Sequence, residues 1–359
     1  PKLALGIDNL PIEGPDRFSL SRDFMTMRRI GLMQDFPNAA KRDARVAAAR
    51  GRVAQAEAQT RITRLMVLRE TALAWIARDA VERQLAGIDA LVEENRVFEA
   101  SVRARIAGGK GSALEAVAPR QEAALIEARR DELDARRRQA VAALERWVGP
   151  DARAPLAGRA PDWPIDRDAL AHALHRHPEL TGFDPKARVL DAEVAEARAA
   201  KKPDWALELA YQKRGSQFGD MAMVNVTFDL PVFAASRQDP QIASRQAERA
   251  ALDAEREAVL REHAAMLETD LAEYQRLDRA VARQRDVLLP LADEKAELAL
   301  AAWRGGTGEL ADLVMARRER IDAGLIAIAL EGERRQMAAR LYYAYGDHAK
   351  SEPNLSGEK

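Results

Sequence analysis

Short segments of the chain alternate strictly between two kinds of side chain. In "WALELAYQ", Trp205, Leu207, Leu209 and Tyr211 share one side, and Ala206, Glu208, Ala210 and Gln212 the other. In "MAMVNVTF", Ala222, Val224, Val226 and Phe228 oppose Met221, Met223, Asn225 and Thr227. In "KLALGID", Leu3, Leu5 and Ile7 share a face. Period-two alternation with one apolar face predicts β-strands. The match is imperfect in "DFMTMRRIGLM", where Arg28 falls at the place of Ala222. Either Arg28 lies near the end of the apolar face or the register there is shifted by one.

Between the strand segments the period changes. From about Ala243 to Arg304 there is no glycine and one proline, Pro290. A helix of that length spans roughly 90 Å. Leu260, Leu267, Tyr274, Val281 and Leu288 recur at heptad spacing, which predicts a seam for a neighbouring helix. A weaker seam pairs Leu85 with Val92 and Val81 with Ile88.

Glycines interrupt these helices twice in the same way, in "RIAGGKGSALEAV" and "WRGGTGELADLV". Sliding the chain so that Gly108 falls on Gly305 brings Gly109 onto Gly306 and Gly111 onto Gly308. The same shift brings Glu115 onto Asp312, Val117 onto Val314, Arg120 onto Arg317, Glu122 onto Glu319 and Gly149 onto Gly346. A nearly equal shift puts "QDFP" on "FDLP". The chain therefore reads as two copies of one unit. Glycine supplies the left-handed geometry that ends a helix, so each interruption predicts the turn of an antiparallel helical hairpin.

The expected plan is as follows. Residues 1–149 form repeat one, with a strand hairpin over about 1–36, a long helix over about 38–107 and a return helix over about 112–148. "GPDARAPLAGRAPDWPI" supplies a Pro/Gly-rich linker over 150–165. Residues 166–346 form repeat two, with a helix over about 166–200, strands over about 204–230, a long helix over about 241–304 and a return helix over about 309–345. Residues 347–359 form a polar tail. Repeat one would need its own leading helix before Pro1, so a processed or missing N-terminus is expected.

Composition narrows the class. Charged residues make up 31% and aromatics only 5%, which suits long packed helices. Net charge is −1, with signs interleaved, which argues against nucleic acid as partner. There is no cysteine, hence no disulfide frame and no thiolate metal site. No apolar run reaches transmembrane-helix length, and no signal peptide is visible.

A half-buried soluble sheet and a transmembrane barrel share the same alternation. Strand number separates them. Four strands cannot close a barrel, and an open sheet in lipid leaves its edges unsatisfied. Several chains pooling four strands each would solve this and would also supply the partners that the helices need.

The duplicated strand–strand–long-helix–glycine–helix plan resembles the TolC-like outer-membrane efflux proteins over nearly the whole chain. The opening "LALGIDNLPIEGPDRFSLSRDFMTMRRIGLMQDFPNAAKR" looks most like the outer-membrane components of heavy-metal efflux systems of the CzcC and CusC kind. "LHRHPEL" is similar to the family's helix-opening motif. The resemblance implies a mainly α fold with a small β part. It implies a homotrimer whose twelve strands form a barrel in the outer membrane, continued by a periplasmic α-barrel. It also implies docking of a periplasmic adaptor, and through it an inner-membrane RND pump, at the helical tips. Those tips carry Gly108, Gly109, Gly111, Gly305, Gly306 and Gly308. A family aspartate lining the narrow entrance falls on Asp312, with Glu115 as its counterpart in repeat one. A carboxylate ring there would attract cations. Arg304, Arg317 and Arg318 are its expected basic partners by nearness in sequence. Simple helix termination and a solvated helix face are the plainer readings of these residues. Met315 stands where some relatives carry a second acid.

Other signals are set aside. His172, His175 and His177 cluster, but His177 precedes Pro178 and is expected to cap a turn rather than bind metal. Alternating methionines are read as apolar filling. No nucleophile–base set or phosphate loop is found, so no enzyme activity and no cofactor is expected. Three alternatives remain open: a soluble coiled-coil structural protein, a periplasmic adaptor, and a channel for drugs or other small molecules. An adaptor would carry one hairpin and a lipoyl-like β module, whereas this chain shows two hairpins and no such module.

Overall fold

In a computed structural model, residues 1–109 and 111–346 are described. The expected polar tail over 347–359 lies outside them. The elements run β1 (Lys2–Asp8), β2 (Met27–Phe36), α1 (Ala39–Ala107), α2 (Val117–Val148), α3 (Arg167–Ala173), α4 (Pro178–Thr181), α5 (Phe183–Ala199), β3 (Trp205–Lys213), β4 (Met221–Phe228), α6 (Ala234–Arg283), α7 (Leu289–Gly305) and α8 (Leu310–Tyr345). The fold is mainly helical with one small sheet.

The chain divides into two compact units, each drawing on both halves of the sequence. One comprises Pro1–Gln59 and Thr181–Ala258, the other Thr60–Leu180 and Val259–Lys359. The first holds the sheet. Its four strands lie in sequence order, each antiparallel to the next. The strand-to-helix corner is fixed by polar bonds. Asn38 accepts from the Lys41 amide at 3.0 Å, capping α1, and donates to Asp204 at 2.9 Å. Lys41 Nζ completes the corner on Asp204 at 2.5 Å.

The second unit holds the glycine-turn ends of both helical hairpins. Ile88, Ile126, Leu133 and Leu325 form one buried cluster joining α1, α2 and α8. Full burial of each such side chain contributes roughly 1.5–3 kcal/mol. The linker is held down rather than free. Arg78, only 4% exposed, donates to the carbonyls of Ala152 and Ala154. Trp163 packs on Ile76, Ala338 and Ala339.

Two expectations need correction. The helix expected over 166–200 is broken into α3, α4 and α5. Pro178 lacks an N–H and pushes the preceding residue out of the α region, and His177 sits at φ −52°, ψ 131°. The long helix near 241–304 starts earlier and carries a π segment at Gln284–Leu288. Pro290 removes a helical N–H just beyond it, and the π turn absorbs the loss. The extra residue rotates the helix, so the heptad seam is buried at Leu267 but 47% exposed at Leu288. Gln284 is buried instead and donates to the Ala323 carbonyl of α8 at 2.9 Å.

Candidate functional site

The sheet presents two unlike faces. Register places Leu3 opposite Leu32, Leu32 opposite Leu209 and Leu209 opposite Val224. The next row is Leu5, Ile30, Tyr211 and Ala222. This apolar face is uncovered, with Leu5 73%, Val224 68% and Phe228 61% exposed. One end carries an aromatic row, Phe36–Trp205–Phe228, in which Phe36 and Trp205 stack at 4.1 Å. The other end carries Ile7, Arg28 and Lys213 in one row. Arg28 is therefore on the apolar face, as the alternation placed it, but at its rim, where it donates to the Arg214 carbonyl. The register is not shifted.

The opposite face is polar and small. Arg29 bridges Asp8 at 3.4 Å and Glu208 at 3.1 Å, and Gln212 donates to Asp8 at 3.3 Å. Gly31 and Ala210 line this face between the polar groups. The alternation that a buried sheet would hide is here turned inside out, with bulky apolar groups bare and charged groups sheltered. β1 and β4 each pair on one side only among the described residues, which leaves a ladder of N–H and C=O groups at either edge.

The glycine turns lie in the other unit. Gly109 and Gly306 have φ of +71° and +78°, which ends each helix in the left-handed region. Gly308 is required for another reason: a Cβ there would stand 2.8 Å from the Ala302 Cβ. Gly111 is tight against Ile106 and Glu115. Gly108 and Gly305 have no such backbone requirement. Below the turns, Phe98, Val102, Trp303, Leu310 and Leu313 form one buried cluster that holds both hairpin ends together. Arg105 stacks on the Trp303 ring at 5.1 Å and donates to the Trp303 carbonyl.

The expected acidic and basic residues separate. Asp312 is exposed in the first turn of α8, where it faces a shallow groove with Lys295, Leu298 and Glu309. Among the described residues it has no ion pair. Glu115 instead accepts from the Ser112 amide at 3.2 Å and closes its own turn. Arg317 does not serve Asp312. It bonds Glu122 of α2 at 3.2 Å and lies 4.6 Å over the Phe98 ring. Arg318 lines a separate groove with Gln121, Glu122 and Arg129. Arg304 is exposed beside Glu94 and Val97. For Arg317 and Arg318, on the same helix as Asp312, the reason is helical phase. Neighbours on one face are three or four residues apart, and five or six residues turn the side chain away. Glu122, which proves central to this end of the hairpins, was visible in the sequence only as the alignment partner of Glu319.

The fold is the TolC-like one. The outer membrane protein VceC from Vibrio cholerae superposes with a TM-score of 0.77 at 19% identity, over 96% of this chain and 86% of that one. CusC superposes with a TM-score of 0.79 at 16% identity, over 96% and 82%. The open state of the Neisseria gonorrhoeae MtrE outer membrane channel gives 0.76 at 17%, over 96% and 80%. No protein-family model and no curated relative matches the sequence. No helix among the described residues is long and apolar enough to cross a membrane.

Proposed function

We propose that the chain is one subunit of a homotrimeric outer-membrane efflux channel. The observation that carries this reading is the sheet. It has a bare apolar face bounded by an aromatic row and a basic row, and two open edges. Lipid suits the face, and the edges of two more copies suit the edges. The TolC-like fold supports the same reading, since outer membrane channels share it at similar length.

In this reading the protein is a passive conduit with no catalytic step. The partners are a periplasmic adaptor docking at the glycine turns and an inner-membrane RND pump that supplies the energy. Asp312 contributes one carboxylate per subunit to the entrance, where three together favour cations. The cargo we propose is heavy-metal cations, on the resemblance of the opening stretch to metal-efflux components.

Fractionation tests the channel. Recovery in the outer-membrane fraction, extracted only by detergent and sized as a trimer, is expected; recovery as a soluble protein overturns it. Deletion of the gene tests the cargo, by growth on a panel of metal salts and organic toxicants. Sensitivity to organic compounds alone replaces the cargo class and leaves the channel standing.

A further inference from the structure

The histidines set aside on sequence grounds are sorted by the fold. His172 and His175 are exposed, and His172 Nδ1 lies 2.6 Å from the Asp168 carbonyl. His177 is different. The break before Pro178 turns it toward His263 of α6, with ring centroids 3.8 Å apart. Glu179 Oε2 lies 3.0 Å from His263 Nε2. Each of the three residues has a ligand atom within 4.8 Å of the others'. The His263 side chain is 12% exposed, and its Nδ1 is buried without a hydrogen-bond partner. Tyr345 flanks both rings, and its hydroxyl is spent on the His263 carbonyl.

We infer that His177, Glu179 and His263 form a binding site for a divalent transition-metal ion of the zinc class, tying the α3–α4 connection to α6. Two imidazoles and one carboxylate are a donor set that Zn²⁺ accepts, with water in the fourth position. At bonds of about 2.05 Å, tetrahedral ligand atoms stand about 3.3 Å apart. The Glu179–His263 pair, at 3.0 Å, is close to that spacing, and the ligand atoms of all three residues lie within 4.8 Å of one another. Glu179 is 56% exposed and opens the site to solvent for entry of the ion. The glycine turns and the sheet play no part, so this inference stands apart from the channel reading.

The test uses the purified full chain in detergent, stripped with a chelator and titrated with Zn²⁺ alone. Expected are about one tightly held zinc per chain by elemental analysis and a raised melting temperature, because binding selects the folded state. The His177→Gln/His263→Gln variant loses the zinc, and His172→Ala/His175→Ala keeps it. Glu179→Gln changes an exposed group, keeps the fold and weakens binding by at least the roughly tenfold that even an outer-shell partner costs. Absence of zinc on the wild-type chain overturns the inference, as does undiminished zinc on the double-histidine variant. Should that variant not fold, unchanged affinity in Glu179→Gln overturns it instead. Neither result bears on where the protein resides.

Discussion

Arg317 shows how far nearness in sequence can miss a side chain's partner. Its guanidinium lies between the Glu122 carboxylate and the Phe98 ring, with side chains only 12% and 8% exposed for Arg317 and Glu122. A buried pair of this kind contributes little net stability when intact, because both charges have lost water. Breaking it is another matter, since the survivor stays buried and uncompensated. Glu122→Gln is therefore expected to lower unfolding stability by about 3 kcal/mol. Replacing both residues with Met is expected to cost less than the single change. Denaturant titrations of the three variants measure this directly. A single variant no worse than the double one would mean that water reaches the guanidinium. The pair joins α2 to α8, so the same substitution also loosens one hairpin from the other.

At the scale of elements, the glycines divide by what their backbone demands. Gly306→Ala forces a Cβ into a left-handed cap and is expected to cost about 1 kcal/mol. Gly305→Ala, at the last residue of α7 where a Cβ meets only the Thr307 hydroxyl at 3.9 Å, is expected to cost nothing measurable or to stabilise slightly. Thermal melts of the two variants separate backbone need from surface role, and a Gly305 variant that melts normally but fails to bind an adaptor assigns that surface to docking. The sheet offers a second contrast. Leu209 sits mid-strand on the apolar face, two rows from Lys213. If the sheet spans the membrane as proposed, Leu209→Arg is expected to destabilise the protein in lipid by roughly 2–4 kcal/mol, whereas Arg28, already at the rim, is tolerated. Equal stability of Leu209→Arg and wild type in lipid would mean that this face meets water. Both elements were legible in the sequence because each obeys a local rule: period two for the strands, and a glycine requirement at the turns. What stayed hidden depends on tertiary pairing. Nothing in "RRER" states that Arg317 faces Glu122 rather than Asp312, and nothing near His177 points to His263 in α6. Pro178 and Pro290 were visible, but whether a proline breaks a helix or is absorbed by a π turn is settled by what packs against it.

At the scale of the whole molecule, the described residues supply one free sheet edge of each kind, β1 and β4. β1 runs from the aromatic row toward the basic row, and β4 runs back from the basic row to the aromatic one. The β4 of one copy can therefore meet the β1 of the next in the antiparallel sense that the rest of the sheet already uses. Apolar rows on neighbouring copies then join into one band. Such head-to-tail pairing either closes into a ring or runs on as a filament, and the twist and shear of the strands decide which. In the trimer proposed above, the ring closes and the face carrying Arg29, Asp8 and Glu208 lines its lumen. Because the chain has no cysteine, the closure can be read without background. Val224→Cys is combined in turn with Leu3→Cys, Leu5→Cys and Ile7→Cys, all on the apolar face of the two edge strands. Oxidation of the membrane-embedded protein is expected to give a ladder of one, two and three chains on a denaturing gel for one of these pairings. A ladder that continues past three would show an open assembly, and the lack of any linked species across all three pairings would show that these edges never meet.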